Sequence, residues 1–175
     1  MLDLQRPSTE LVASYLDAIA EMRNLGETIW DGWVPRPSES PSDFVRRLLR
    51  AEHSPDSGRV PESVYWAVSD GATDVVGRIA LRHHLNASLE KFGGHIGYEV
   101  RPSFRRRGIG TEMLRQLLAL PKAKEIGRIL VTCAPDNVAS NKTIIANGGV
   151  LGRAAFVDEW RRWTNYYWID LCKGL

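Results

Sequence analysis

The segment Val100-Arg-Pro-Ser-Phe-Arg-Arg-Arg-Gly-Ile-Gly-Thr111 constrains this chain more than any other. A β-type run ends at Val100, Pro102 forces an extended turn, and Gly108 and Gly110 bracket the start of an amphipathic helix. Glycines at such a junction allow unusual dihedrals and close backbone approach, so successive N–H groups can turn into one concavity. The helix N-terminus adds partial positive charge, and Arg101, Arg105, Arg106 and Arg107 add full charge. The combination suits a diphosphate. It is not a Walker loop, because Thr111 and Glu112 follow Gly110 where Lys and Ser or Thr are needed. It is not a dinucleotide fingerprint either, because Met113 stands at the third glycine position.

The rest of the chain supplies ordinary punctuation for a single domain over residues 1–175. Leu2–Gln5 alternates as a short strand. After Pro7-Ser8-Thr9, a helix carries Leu11, Val12, Tyr15, Leu16, Ile19 and Met22 on one face and ends at Gly26. The proline-bearing stretch Trp30–Pro41 is a loop, and Ser40 to Asp43 reads as a capping box opening a helix through about Ala51. Strands follow at Val64–Val68, Val75–Leu81 (joined by a turn over Asp70–Asp74) and His95–Val100. The helix from Gly108 is interrupted at Pro121 and stopped by Gly127. Arg128–Cys133 is a buried-type strand, Asn137–Asn147 a short helix, and Val150–Val157 with Thr164–Leu171 a hairpin. This order implies an α+β or mixed α/β sheet.

The spacing Arg105, Gly108, Gly110 between strand and helix resembles motif A of the GNAT acetyltransferases, whose loop binds the coenzyme A pyrophosphate. Asp136-Asn-Val-Ala-Ser-Asn-Lys142, ahead of Asn147-Gly-Gly149, resembles the superfamily's helix that closes over the pantetheine arm. Together with Arg82-His-His-Leu-Asn86, Gly93-Gly-His-Ile-Gly-Tyr98 and Thr132-Cys133, these motifs are similar to one bacterial subgroup of predicted GNAT enzymes. The likeness runs from about Pro61 to the C-terminus. It implies a central twisted, mostly antiparallel sheet of about seven strands, splayed between the fourth and fifth and flanked by about four helices. It implies acetyl-CoA as co-substrate, with no metal, and an N-acetyltransferase of undefined acceptor amine. A homodimer is a further implication.

Residue by residue, the resemblance puts the backbone of Val100 and Arg101 against the pantetheine amides. It puts the N–H groups of Arg106, Arg107, Gly108, Ile109, Gly110 and Thr111 on the pyrophosphate, with Arg105 beside them. Asn137 and Ser140 would meet the pantetheine arm, and Lys142 or a loop arginine the 3′-phosphate. Asn137 also reads as a helix N-cap, and Ser140 and Lys142 as a solvated face. His95 falls where many members carry a base, and Glu99 shares its face of the strand; each also reads as a structural residue. Arg82, His84 and Asn86 are expected to border the acceptor site or form a solvated loop. The aromatic run Trp160 to Trp168 walls an acceptor pocket, forms a dimer seam or packs a hairpin. Seven residues beyond Asn137, where many members place an acidic Tyr, stands Ile144. A non-catalytic acyl-CoA-binding module of the same fold is therefore the alternative.

Composition excludes other classes. With 23 Lys and Arg against 21 Asp and Glu, and no aromatic platform beside the arginines, nucleic-acid binding has no footprint. No signal peptide and no membrane span are read, so the cytoplasm is expected. Cys133 and Cys172 stand far apart in apolar runs and read as buried, reduced residues.

Overall fold

The computed structural model describes residues 2–69 and 74–172. The chain begins with β1 (Leu2–Gln5), α1 (Val12–Asn24) and α2 (Pro41–Arg50), followed by β2 (Glu62–Ser69) and β3 (Val75–Arg82). Then come α3 (Ala87–Lys91), β4 (Ile96–Val100), α4 (Ile109–Ala119), α5 (Pro121–Ile126) and β5 (Arg128–Cys133). α6 (Val138–Ala146) and the hairpin β6 (Val150–Val157) with β7 (Arg162–Asp170) complete the order. The turn expected over Asp70–Asp74 lies, except for Asp74, outside the described residues.

The strands form two antiparallel sheets, β1-β2-β3-β4 and β5-β7-β6. Among the described residues a single bridge, Gly94 to Val131, joins them. The expected splay between the fourth and fifth strands is present, and it divides the sheet in two. Gly94 is the pivot: its φ is +60°, and a Cβ there would collide with the Leu130 carbonyl. Only glycine lets β4 come this close to β5 and then leave it.

β3 is buried along its whole length. On one face Ile79 and Leu81 pack with Met113, Leu114 and Leu117 of α4; on the other, Val75 and the neighbouring Trp66 of β2 pack with α1 and α2. Trp66 is fully buried and stacks on Tyr15 at 4.5 Å, a contact whose truncation to alanine costs about 3–5 kcal/mol. Ser40 caps α2 by accepting the Asp43 N–H at 3.1 Å, as the capping box predicts.

Several local expectations are corrected. Leu16 is half exposed, because the buried stripe of α1 follows Tyr15, Ala18, Ile19 and Met22. Six α-helices occur among the described residues: Pro121 starts α5, and Asn86 caps the unexpected α3 by accepting the Leu89 N–H at 3.0 Å. Cys133 is buried, but Cys172 lies past β7 and is exposed.

Candidate active site

Beyond the Gly94–Val131 bridge, the outer edge of β4 has no strand partner among the described residues. The gap opens onto a cleft of about 820 Å³. Gly97, Tyr98 and Glu99 of β4 line it, with Trp30 and Trp33 from the α1–α2 connection and Phe92 and Trp160 on the side of α3 and the β6–β7 turn. Trp33 covers the strand because position 97 is glycine: a Cβ there would lie 2.9 Å from Trp33 Cη2.

Glu99 faces this cleft with its side chain partly exposed. Behind it, Arg78 of β3 sits opposite Glu99 in the strand register and brings Nη2 within 3.4 Å of Glu99 Oε2. The Arg78 side chain is 2% exposed, its guanidinium lies on the Trp33 ring, and none of its nitrogens has a hydrogen-bond acceptor among the described residues. The Glu99 charge is therefore the main compensation for a buried cation.

His95 occupies a different environment. Its backbone N–H donates to Leu130 O at 2.8 Å, and its ring Nδ1 accepts the Leu130 N–H at 2.9 Å. The ring lone pair is spent on stitching the strands, which leaves the proton on Nε2. Burial, then the nearby Arg82, pushes this imidazole down to about 4. His95 does not line the cleft.

Tyr98 and Ser140 meet across the gap, hydroxyl to hydroxyl, at 2.8 Å. Burial pushes the Tyr98 phenol up to about 12, so it remains a proton donor at neutral pH. Ser140 N–H donates to Asn137 Oδ1 at 3.0 Å, which makes Asn137 the N-cap of α6. Ile144 is fully buried in the core.

The glycine loop forms a cradle. Arg106 has φ +63° and Gly108 φ +75°, and the amides of residues 106–111 find no acceptor among the described residues. They crown the N-terminus of α4, an arrangement that fits a diphosphate. Two of the four arginines are committed elsewhere. Arg101 Nε donates to Glu21 at 2.7 Å; Arg105 grips Glu27 with both Nη atoms at 2.5 and 2.6 Å and donates Nε to Val100 O at 3.0 Å. Arg106, Arg107 and Lys142 carry exposed side chains.

Of the residues expected to border the acceptor, Arg82 and Asn86 line the cleft and His84 does not. Arg82 is not in a loop. It ends β3 buried, 3.3 Å from Glu62, and donates to the carbonyls of Gly93 and Gly94 at 3.2 and 3.0 Å. The sequence reading missed Trp30, Trp33 and Arg59; two tryptophans in a proline-bearing loop were the available signal. Among the described residues no three His, Cys, Asp or Glu side chains gather as a metal site.

Residues 9–150 match the model of the acetyltransferase (GNAT) domain. The chain belongs to the GNAT acetyltransferases. This GNAT protein is similar in structure to RimL, a ribosomal α-N-protein acetyltransferase, in complex with coenzyme A (TM-score 0.71, 19% identity, 97% of this chain and 94% of that one). It is similar also to the microcin C7 self-immunity acetyltransferase MccE in complex with acetyl-CoA and AMP (0.70, 19%, 97% and 92%). A third is RimJ of Mycobacterium smegmatis with CoA-disulfide (0.62, 20%, 97% and 81%). At these identities the likeness speaks to the fold. No curated protein matches the sequence. No helix among the described residues is long and apolar enough to cross a membrane.

Proposed function

We propose that this GNAT protein transfers an acetyl group from acetyl-CoA to a primary amine by direct attack in a ternary complex. The observation that carries the reading is the gap between β4 and β5, which opens onto a cleft lined by both Tyr98 and Glu99.

The amides of residues 106–111 hold the diphosphate, with Arg106, Arg107 and Lys142 supplying charge. Asn137 and Ser140 border the pantetheine arm, and the unpaired edge of β4 offers backbone groups to it. Acetyl-CoA supplies an acyl group activated by a good thiolate leaving group. An acceptor ammonium with a pKa near ~10.4 must lose a proton before it attacks, at a cost of about 4–5 kcal/mol at neutral pH. Glu99 takes that proton, directly or through water, and backbone N–H groups on the open β4 edge stabilise charge on the carbonyl oxygen. Tyr98, hydrogen-bonded to Ser140, returns a proton to the departing sulfur, the role that Ile144 cannot fill. With its lone pair committed to Leu130, His95 acts as a structural residue.

The test is calorimetric titration with acetyl-CoA, for the wild type and for Gly108→Val with Gly110→Val, followed by thiol-release assays across a panel of amines. Micromolar binding lost in the double variant, with amine-dependent thiol release, supports the reading. Binding without release from any amine would favour the non-catalytic acyl-CoA module, and no binding by folded wild type would sink both.

A further inference from the structure

The charge balance of the cleft selects among acceptors. Five arginines and four carboxylates line it, and most are already matched. Glu62 pairs with Arg82 at 3.3 Å and Glu99 with Arg78 at 3.4 Å. Arg47 is held by Glu39 at 2.8 Å, and Asp56 serves both Arg50 and Arg36. Among the described residues two lining guanidiniums, Arg59 and Arg162, have no carboxylate within ion-pair distance, against one lining carboxylate, Asp136 just ahead of α6, that has no cation partner.

Each of these two lies on an aromatic ring instead. Arg59 sits 4.4 Å from the centroid of Trp30, and Arg162 sits 4.7 Å from that of Phe92, which stacks on Trp160 at 4.5 Å. A guanidinium held by its face keeps its N–H edge free for bidentate recognition of carboxylate or phosphate. The first pair is built closely: a Cβ at Gly32 would strike the Trp30 ring and lie 2.6 Å from Arg59 Nη1. Both arginines are exposed, whereas Glu99 is partly buried on the strand. An acceptor whose amine reaches Glu99 thus leaves its far end among arginines and aromatic rings. A polycation would meet unmatched positive charge there.

Resting on the acyl-transfer reading of Glu99, we infer that the acceptor is a primary amine with an anionic group, carboxylate or phosphate, at the end remote from the amine. A flat apolar body joins the two. Trp30, Arg59, Phe92, Trp160 and Arg162 determine this specificity.

Matched probes isolate the charge: O-phosphotyramine against tyramine, phenylalanylglycine against phenylalanylglycinamide, and spermidine as the polycation. Affinity is read by calorimetry on the full chain and turnover by thiol release. The anionic member of at least one pair is expected to be favoured roughly tenfold or more, the scale of one charge-assisted hydrogen bond. The pair that responds tells phosphate from carboxylate. Arg59→Gln with Arg162→Gln should erase the preference with acetyl-CoA affinity retained, and Arg→Lys at both positions should restore part of it. Equal or better binding of the neutral members or of spermidine overturns the inference. So does a preference that survives the double substitution, or a failure of every probe to bind. Charge preference in affinity without turnover upholds the inference on the cleft while counting against the acyl-transfer reading, because the two readouts are independent.

Discussion

Arg78 lies buried beneath the Trp33 ring with Glu99 as its ion partner, 3.4 Å from Nη2 to Oε2. The pair ties the cleft to the stability of the sheet. Breaking a buried pair by removing one charge costs about 3–5 kcal/mol, whereas replacing both charges with apolar or neutral groups costs far less. Glu99→Gln is therefore expected to lower both stability and kcat/KM, the latter by roughly 10²–10⁴. Arg78→Met added to Glu99→Gln should recover most of the stability in urea denaturation and none of the activity. If activity returned with stability, Glu99 would be a scaffold residue.

Tyr98, hydrogen-bonded to Ser140 at 2.8 Å and pushed up to about 12 by burial, stays protonated through the working range. As proton donor it gives the kcat profile no alkaline limb up to about pH 10. Tyr98→Phe is expected to lower kcat about tenfold or more with little change in acetyl-CoA affinity. An alkaline limb near pH 8, or an unaltered kcat in the variant, would remove Tyr98 from the mechanism.

The His95–Leu130 contact predicts a pH dependence of stability. The folded-state pKa, about 4, lies below the ordinary value of 6.5, chiefly through burial. Between those values the unfolded chain binds the proton and the folded chain does not. Stability is full above about pH 6.5 and declines as pH falls towards 4, by on the order of 3 kcal/mol. Urea melts of the wild type across this window, compared with His95→Gln, measure the slope; an equal slope in both would assign it to other groups.

Two glycines should respond differently to alanine. At Gly94 the added methyl collides with Leu130 O, so Gly94→Ala is expected to lower Tm substantially by forcing β4 off β5. At Gly108, φ is +75° but nothing lies within 4 Å of a Cβ. Gly108→Ala thus pays only the left-handed backbone penalty, about 1 kcal/mol. Its larger effect should appear as weaker acetyl-CoA binding, read by calorimetry beside the melts. Equal losses of Tm would contradict the distinction.

The sequence by itself determined the order of the seven strands and the glycine-bearing turn ahead of α4, because both are written in local signals. Strand alternation, the Ser40 cap, the break at Pro121 and the turn from Val100 to Gly110 each depend on residues within a few positions of one another. Even the family resemblance rests on such short motifs. Partner choice was decided only by the tertiary structure. Arg101 and Arg105 read as loop arginines that add charge to the concavity, and it is α1 and its trailing loop that bring Glu21 and Glu27 against them. His95 read equally as a base or as a structural residue, and it is β5 that supplies the Leu130 N–H to its ring. The cleft gathers the α1–α2 connection, β4, α3 and the β6–β7 turn, which lie far apart along the chain. Periodicity records which way a side chain faces. Which charge or ring it meets is settled when distant segments pack, and that meeting decides whether a titratable group does chemistry or holds two strands together.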